Sequence, residues 1–123
     1  MSWKKRYAIK QKYKPFDELL IKTNLEKVIQ EINGELSQHE IEEVRIVENN
    51  ILFPDCIISF DITQNHLQFK KFKKENPSSV RATFKVTLHS DGYFRFNIGS
   101  EEYEEISEGL IEDLFEKILF HEG

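Results

Sequence analysis

Apolar and polar residues alternate through "KVTLHSDGYFRFNIGSEEYEE", residues 85–105, until the alternation gives way to a block of glutamates. Val80, Ala82, Phe84, Val86 and Leu88 fall on one face of an extended segment, and Phe94, Phe96 and Ile98 fall on one face of the next. Both faces reach a common core only in the right register. A two-residue turn at Asp91 and Gly92 would set Leu88 opposite Arg95 and join an apolar face to a charged one. A three-residue loop of Ser90, Asp91 and Gly92 instead sets Leu88 opposite Phe94, Val86 opposite Phe96 and Phe84 opposite Ile98. The longer loop is expected, with Gly92 in the left-handed position that glycine enters at little cost.

Upstream, "TNLEKVIQEING" changes to a 3.6-residue period, with Leu25, Val28, Ile29 and Ile32 on one side. Thr23 and Glu26 have capping-box spacing and Gly34 offers a left-handed stop, which predicts a helix over residues 24–33, extended back to Pro15 if that proline opens it. Residues 37–43 suit a short turn. The period returns to two at "VRIV", passes the turn-prone Asn49 and Asn50, and continues in "ILFPDCIISFDI", where Cys56, Ile58, Phe60 and Ile62 share a face. Pro54 lacks a ladder donor and belongs at an edge, a bulge or a strand start. "HLQFKKF" points Leu67 and Phe69 inward, and "KKENPSS" reads as a loop.

Beyond Ser100 the helical period resumes, with Tyr103, Ile106, Leu110, Ile111, Leu114, Phe115, Ile118 and Leu119 on one stripe. Ser100 caps this helix, with Glu101 and Glu102 at its positive end, or it begins after Ser107 with Gly109 in its first turn. Together the elements predict an α+β domain: an antiparallel sheet of four to five strands packed against N-terminal and C-terminal helices. Residues 1–14 read as a basic segment and 15–123 as one domain. Within that segment Tyr7, Ile9 and Tyr13 would mark a strand.

A chain of 123 residues is the size of one domain. It contains no apolar run long enough to cross a membrane, and "MSWKKRYAIK" lacks the apolar stretch of a secretion signal, so a cytoplasmic location is expected. The single cysteine, Cys56, suits a reducing compartment.

The net charge of −5 conceals a strong asymmetry. Lys4, Lys5, Arg6, Lys10, Lys12 and Lys14 precede any acid, "KKFKK" supplies Lys70, Lys71, Lys73 and Lys74, and residues 101–123 hold nine acids against Lys117.

Catalytic and cofactor signatures are absent: no GxSxG, phosphate-binding loop, GxGxxG, HExxH or CxxC occurs. Cys56 sits on an inward face, as a structural thiol does. His39, His66, His89 and His121 are scattered without metal-ligand spacing, and His66 and His89 read as surface residues at strand ends. Glu101 with Glu105, and Glu108 with Glu112, lie one helical turn apart, a spacing that could suit a cation, but without an interleaved His or a second motif a solvated face is the expected reading. The expectation is a non-enzyme without cofactor or metal.

Two binding readings remain. Trp3, Tyr7 and Tyr13 interleave with Lys4, Lys5, Arg6 and Lys10, and Phe69 and Phe72 with Lys70, Lys71, Lys73 and Lys74, a mixture that would contact phosphates and stack on bases of a nucleic acid. The other is capture of a basic protein by Glu101, Glu102, Glu104, Glu105, Glu108, Glu112 and Asp113, arrayed on a helix.

"VTLHSDGYFRFNIGSEE" is similar to the strand, Asp-Gly turn and aromatic strand of a family of small bacterial immunity proteins that neutralise secreted nuclease toxins. "LEKVIQEINGELSQHEIEEVRIV" resembles that family's helix leading into its first strand. The likeness spans roughly residues 24–100. It implies stoichiometric inhibition of a basic toxin, with no catalytic residues.

Overall fold

The computed structural model describes residues 2–12, 16–63 and 66–121. Helix α1, Trp3–Gln11, opens at Ser2, whose side chain accepts a hydrogen bond from the Lys4 amide. The strand expected at Tyr7 and Ile9 is therefore a helix, in which Ile9 is the buried position; Tyr13, Lys14 and Pro15 lie outside the described residues.

Helix α2, Glu18–Gln38, is longer at both ends than its periodicity predicts. Asp17 is the cap, accepting from the Leu20 amide, while Thr23 lies within the helix and donates to the Leu19 carbonyl. Gly34 is an interior residue and not the stop. The stop comes at Glu40, a non-glycine residue at φ 58°, where Glu40 N–H donates to Ser37 and Ile41 N–H to Leu36. These two bonds satisfy the last carbonyls as a terminal glycine would have done.

Seven strands follow: β1 Arg45–Val47, β2 Asn50–Leu52, β3 Cys56–Ile62, β4 His66–Lys73, β5 Asn76–Leu88, β6 Phe94–Phe96 and β7 Glu102–Tyr103. Each pairs antiparallel with its neighbour in the chain, so the sheet order is β1 to β7 without a crossover. The expected four to five strands are exceeded because "ILFPDCIISFDI" is divided at Phe53–Asp55 into β2 and β3, and because β7 forms where the C-terminal helix was expected to begin. The segment expected as a loop, "KKENPSS", contains only a two-residue turn at Lys74 and Glu75, after which residues 76–79 already belong to β5.

The register at the β5–β6 turn is the one that sets both apolar faces on the same side: Leu88 opposes Phe94 and Val86 opposes Phe96, with Val86, Phe94 and Phe96 buried and Leu88 exposed at the end of the ladder. His89 N–H donates to Tyr93, Gly92 N–H donates to His89, and Gly92 takes φ 88°. The ladder ends before Phe84 and Ile98 can pair. Asn97 supplants it, accepting from the Lys85 amide and donating to the Thr83 carbonyl, and Ile98 is left exposed.

Helix α3, Glu108–Leu119, takes the later of the two expected starts. Ser107 is its cap and accepts from the Leu110 amide. Helices α2 and α3 cover one face of the sheet, where Ile21, Leu25, Leu110, Leu114 and Ile118 meet Ile51, Ile58, Leu67, Phe69, Phe84 and Val86 in a continuous core. Phe115 stacks edge-on against both Phe53 and Phe69. Asn33 ties α2 to the chain entering the sheet, donating to the Val44 carbonyl and accepting from its amide.

Candidate functional site

The glutamates expected on one helical array occupy two different places. Glu102 belongs to β7, and Glu101, Glu104 and Glu105 flank it outside any helix, which overturns the cap at Ser100.

Three of these four are engaged within the molecule. Glu102 meets Arg95 at 2.6 Å and Arg6 at 3.4 Å, Glu104 meets Lys5 at 3.3 Å, and Glu101 meets Lys117 at 3.1 Å. Asp91, in the β5–β6 turn, accepts two hydrogen bonds from Arg95 at 3.0 and 2.6 Å, and that guanidinium holds its carboxyl down at about 2. Its own backbone amide first, and Lys117 after it, hold the Glu101 carboxyl below the usual range. Arg6 also lies 4.8 Å above the Tyr93 ring. The basic helix α1 is thus docked on the acidic exit of the hairpin, and much of the charge asymmetry read from the sequence is an internal pairing.

Glu108, Glu112 and Asp113 lie on α3. Asp113 accepts a 2.6 Å hydrogen bond from the Tyr103 hydroxyl, which burial and then this carboxylate push upward from its usual range. Glu108 and Glu112 converge with Glu31 of α2, bringing one oxygen from each within 4.8 Å of the others. The hydrogen bond with Glu31 raises the Glu108 carboxyl above its usual range, as expected when two like charges are held together. Such a triad accepts a hard cation or a cationic side chain equally well.

Beside the triad, α2 and α3 form a groove of about 350 Å³. Val28, Ile32, Phe115 and Leu119 make its floor, and Glu31, Glu35, Glu112 and Glu116 its rim. Each helix supplies two apolar and two acidic residues at spacing i, i+3, i+4, i+7, so the walls mirror one another. No ion pair engages Glu35, Glu112 or Glu116 among the described residues. Glu31 and Glu35 were not singled out by the sequence, because the groove exists only when residues some 80 positions apart in the chain are brought together. The repeated spacing on both helices is the signal that was available.

The basic residues do not form one surface. Helix α1 lies against the β5–β6 turn, whereas Lys70, Lys71, Lys73 and Lys74 lie near the β4–β5 turn, at the other end of a 13-residue strand about 40 Å long. Lys71 points to the core side and donates to the carbonyls of Ile118, Leu119 and His121 at the end of α3. Lys74 pairs with Glu42, while Lys70 lies on the uncovered sheet face beside Gln68 and Ser59. Lys4 and Lys10 are exposed on α1.

Cys56 is buried, and desolvation pushes its thiol up to about 12, far from nucleophilic. His66 lies 3.5 Å from Asp61. Among the described residues no helix is long and apolar enough to cross a membrane. No protein-family model, curated protein or solved structure matches the chain.

Proposed function

We propose that this chain is a non-catalytic protein-binding module of the immunity or antitoxin kind, a bacterial cytoplasmic protein that binds and inhibits a basic toxin through an acidic surface. One observation carries the reading: the rim of the α2–α3 groove holds glutamates that make no ion pair among the described residues, above an apolar floor. Like charges gathered on packed helices repel one another, and a Lys or Arg from a partner relieves that repulsion while filling the groove. The binding surface is therefore centred on Glu108 and Glu112 together with Glu31, Glu35 and Glu116. Glu101, Glu102 and Glu104, already neutralised by Lys117, Arg95, Arg6 and Lys5, are secondary to it. Asp113 serves the α3 junction through Tyr103.

The test is affinity purification from the native lysate with nuclease treatment, comparing wild type with a triple variant carrying Glu35→Lys, Glu112→Lys and Glu116→Lys. Wild type should retain one basic protein at near-equal stoichiometry, the complex should lack that protein's toxic activity, and the variant should lose that protein without a fall in its melting temperature. Retention by the variant refutes the groove as the site. Recovery of many proteins only when nucleic acid is left intact moves the function to nucleic-acid association.

A further inference from the structure

Helix α1 presents two distinct faces. Arg6 and Ile9 turn inward, over Tyr93 and against the Gly92 turn. On the other side Trp3 and Tyr7 stand at i and i+4, 72% and 61% exposed, flanked by Lys4 and Lys10. Two adjacent aromatic rings in water, ringed by lysines, are the chemical opposite of the α2–α3 groove, whose apolar floor is ringed by glutamates. Neither surface is covered by any of the described residues. They match in polarity and in sign, and the residue types involved, Trp and Tyr meeting an apolar recess, are those that anchor protein contacts.

We propose that α1 of one copy of this chain docks in the α2–α3 groove of another, with Trp3 and Tyr7 on the floor and Lys4 and Lys10 against the glutamate rim. The contact joins two different surfaces, so it is heterologous and propagates until it closes on itself. The net charge of −5 opposes indiscriminate association of copies, which leaves this local complementarity as the attraction. A basic toxin would compete for the same groove, but self-association requires only the purified chain and stands or falls without any partner.

Trp3 is the only tryptophan of the chain, so its emission reports directly on the contact. Sedimentation of the full chain at about 50 mM salt, where screening is weak, should give a mass that rises with concentration above the 14.6 kDa of one copy, accompanied by a blue shift of the Trp3 emission. About 0.5 M salt should weaken association at least tenfold. Trp3→Ala, at an exposed position and so without cost to folding, and Glu35→Lys with Glu116→Lys should each be monomeric. Mixed together, they offer one intact helix and one intact groove, and should form a pair that stops at two copies, with a blue-shifted emission. A wild-type chain that stays monomeric to millimolar concentration overturns the proposal. So does association that survives Trp3→Ala, or a mixture of the two variants that stays monomeric.

Discussion

Lys71→Met separates a structural lysine from a ligand-binding one. The ammonium donates to Ile118 at 2.9 Å and to His121 at 3.1 Å, with a longer contact of 3.5 Å to Leu119, so it adds a charged donor to the Ile118 carbonyl, which also accepts from the His121 amide, and reaches the carbonyls of Leu119 and His121 beyond it. Hydrogen bonds to a charged donor contribute roughly 1.5–3 kcal/mol each, and a cation at a helix C-terminus adds up to about 1 kcal/mol. Lys71 is only half-buried, so water recovers part of this after the change, and the net loss should be about 2 kcal/mol. Methionine keeps the packed stem and removes the charge alone. An unfolding entropy of about 2.1 cal/mol/K per residue over 123 residues converts that loss into a fall in Tm of about 8 °C. Differential scanning calorimetry of Lys71→Met beside Lys70→Met, which alters the uncovered face, provides the measurement. A fall under about 2 °C for Lys71→Met, or an equal fall in both, refutes the assignment of Lys71 to the end of α3.

Gly92→Ala places a methyl group 2.6 Å from the Ile9 carbonyl and the Lys10 Cα while forcing an alanine to φ 88°. Stability should drop by about 2 kcal/mol or more, and α1 should become cleavable by trypsin before the rest of the domain. Glu108→Gln should raise Tm at pH 7 by removing the repulsion from Glu31. A carboxyl whose folded-state pKa is raised favours the folded state most when protonated, so its contribution is complete below the unfolded value and is lost as pH rises through the folded value. Wild type and variant should therefore converge as pH falls below the carboxylate range, and a Tm difference that does not vary with pH would refute the coupling of Glu108 to Glu31.

The β5–β6 register was legible in advance because only one pairing buries Val86 and Phe96 together, and tertiary structure had no better alternative. The extent of α2 was not, because Gly34 and Thr23 carry helix-boundary signals that packing overrides. A glycine inside a helix costs only about 1 kcal/mol, less than the burial of Val28 and Ile29 on the same helix returns. Residues 76–79 are poor strand formers that extend as one continuous strand with the apolar part of β5. Charge was read correctly in amount and incorrectly in place: Lys5 and Glu104, or Arg6 and Glu102, are nearly 100 residues apart, and no local pattern announces that they cancel.

Because every strand hydrogen-bonds to the strand beside it in the chain, the sheet forms through a series of short loop closures, each of small entropic cost. The helices are different. Packing α3 on α2 and seating α1 against the β5–β6 turn and β7 join residues separated by most of the chain, as in the Arg6–Glu102 bond across 96 positions. The sheet should thus form early and quickly, and the docking of α1 last. On unfolding, α1 should be released first, while the rest of the domain is still native.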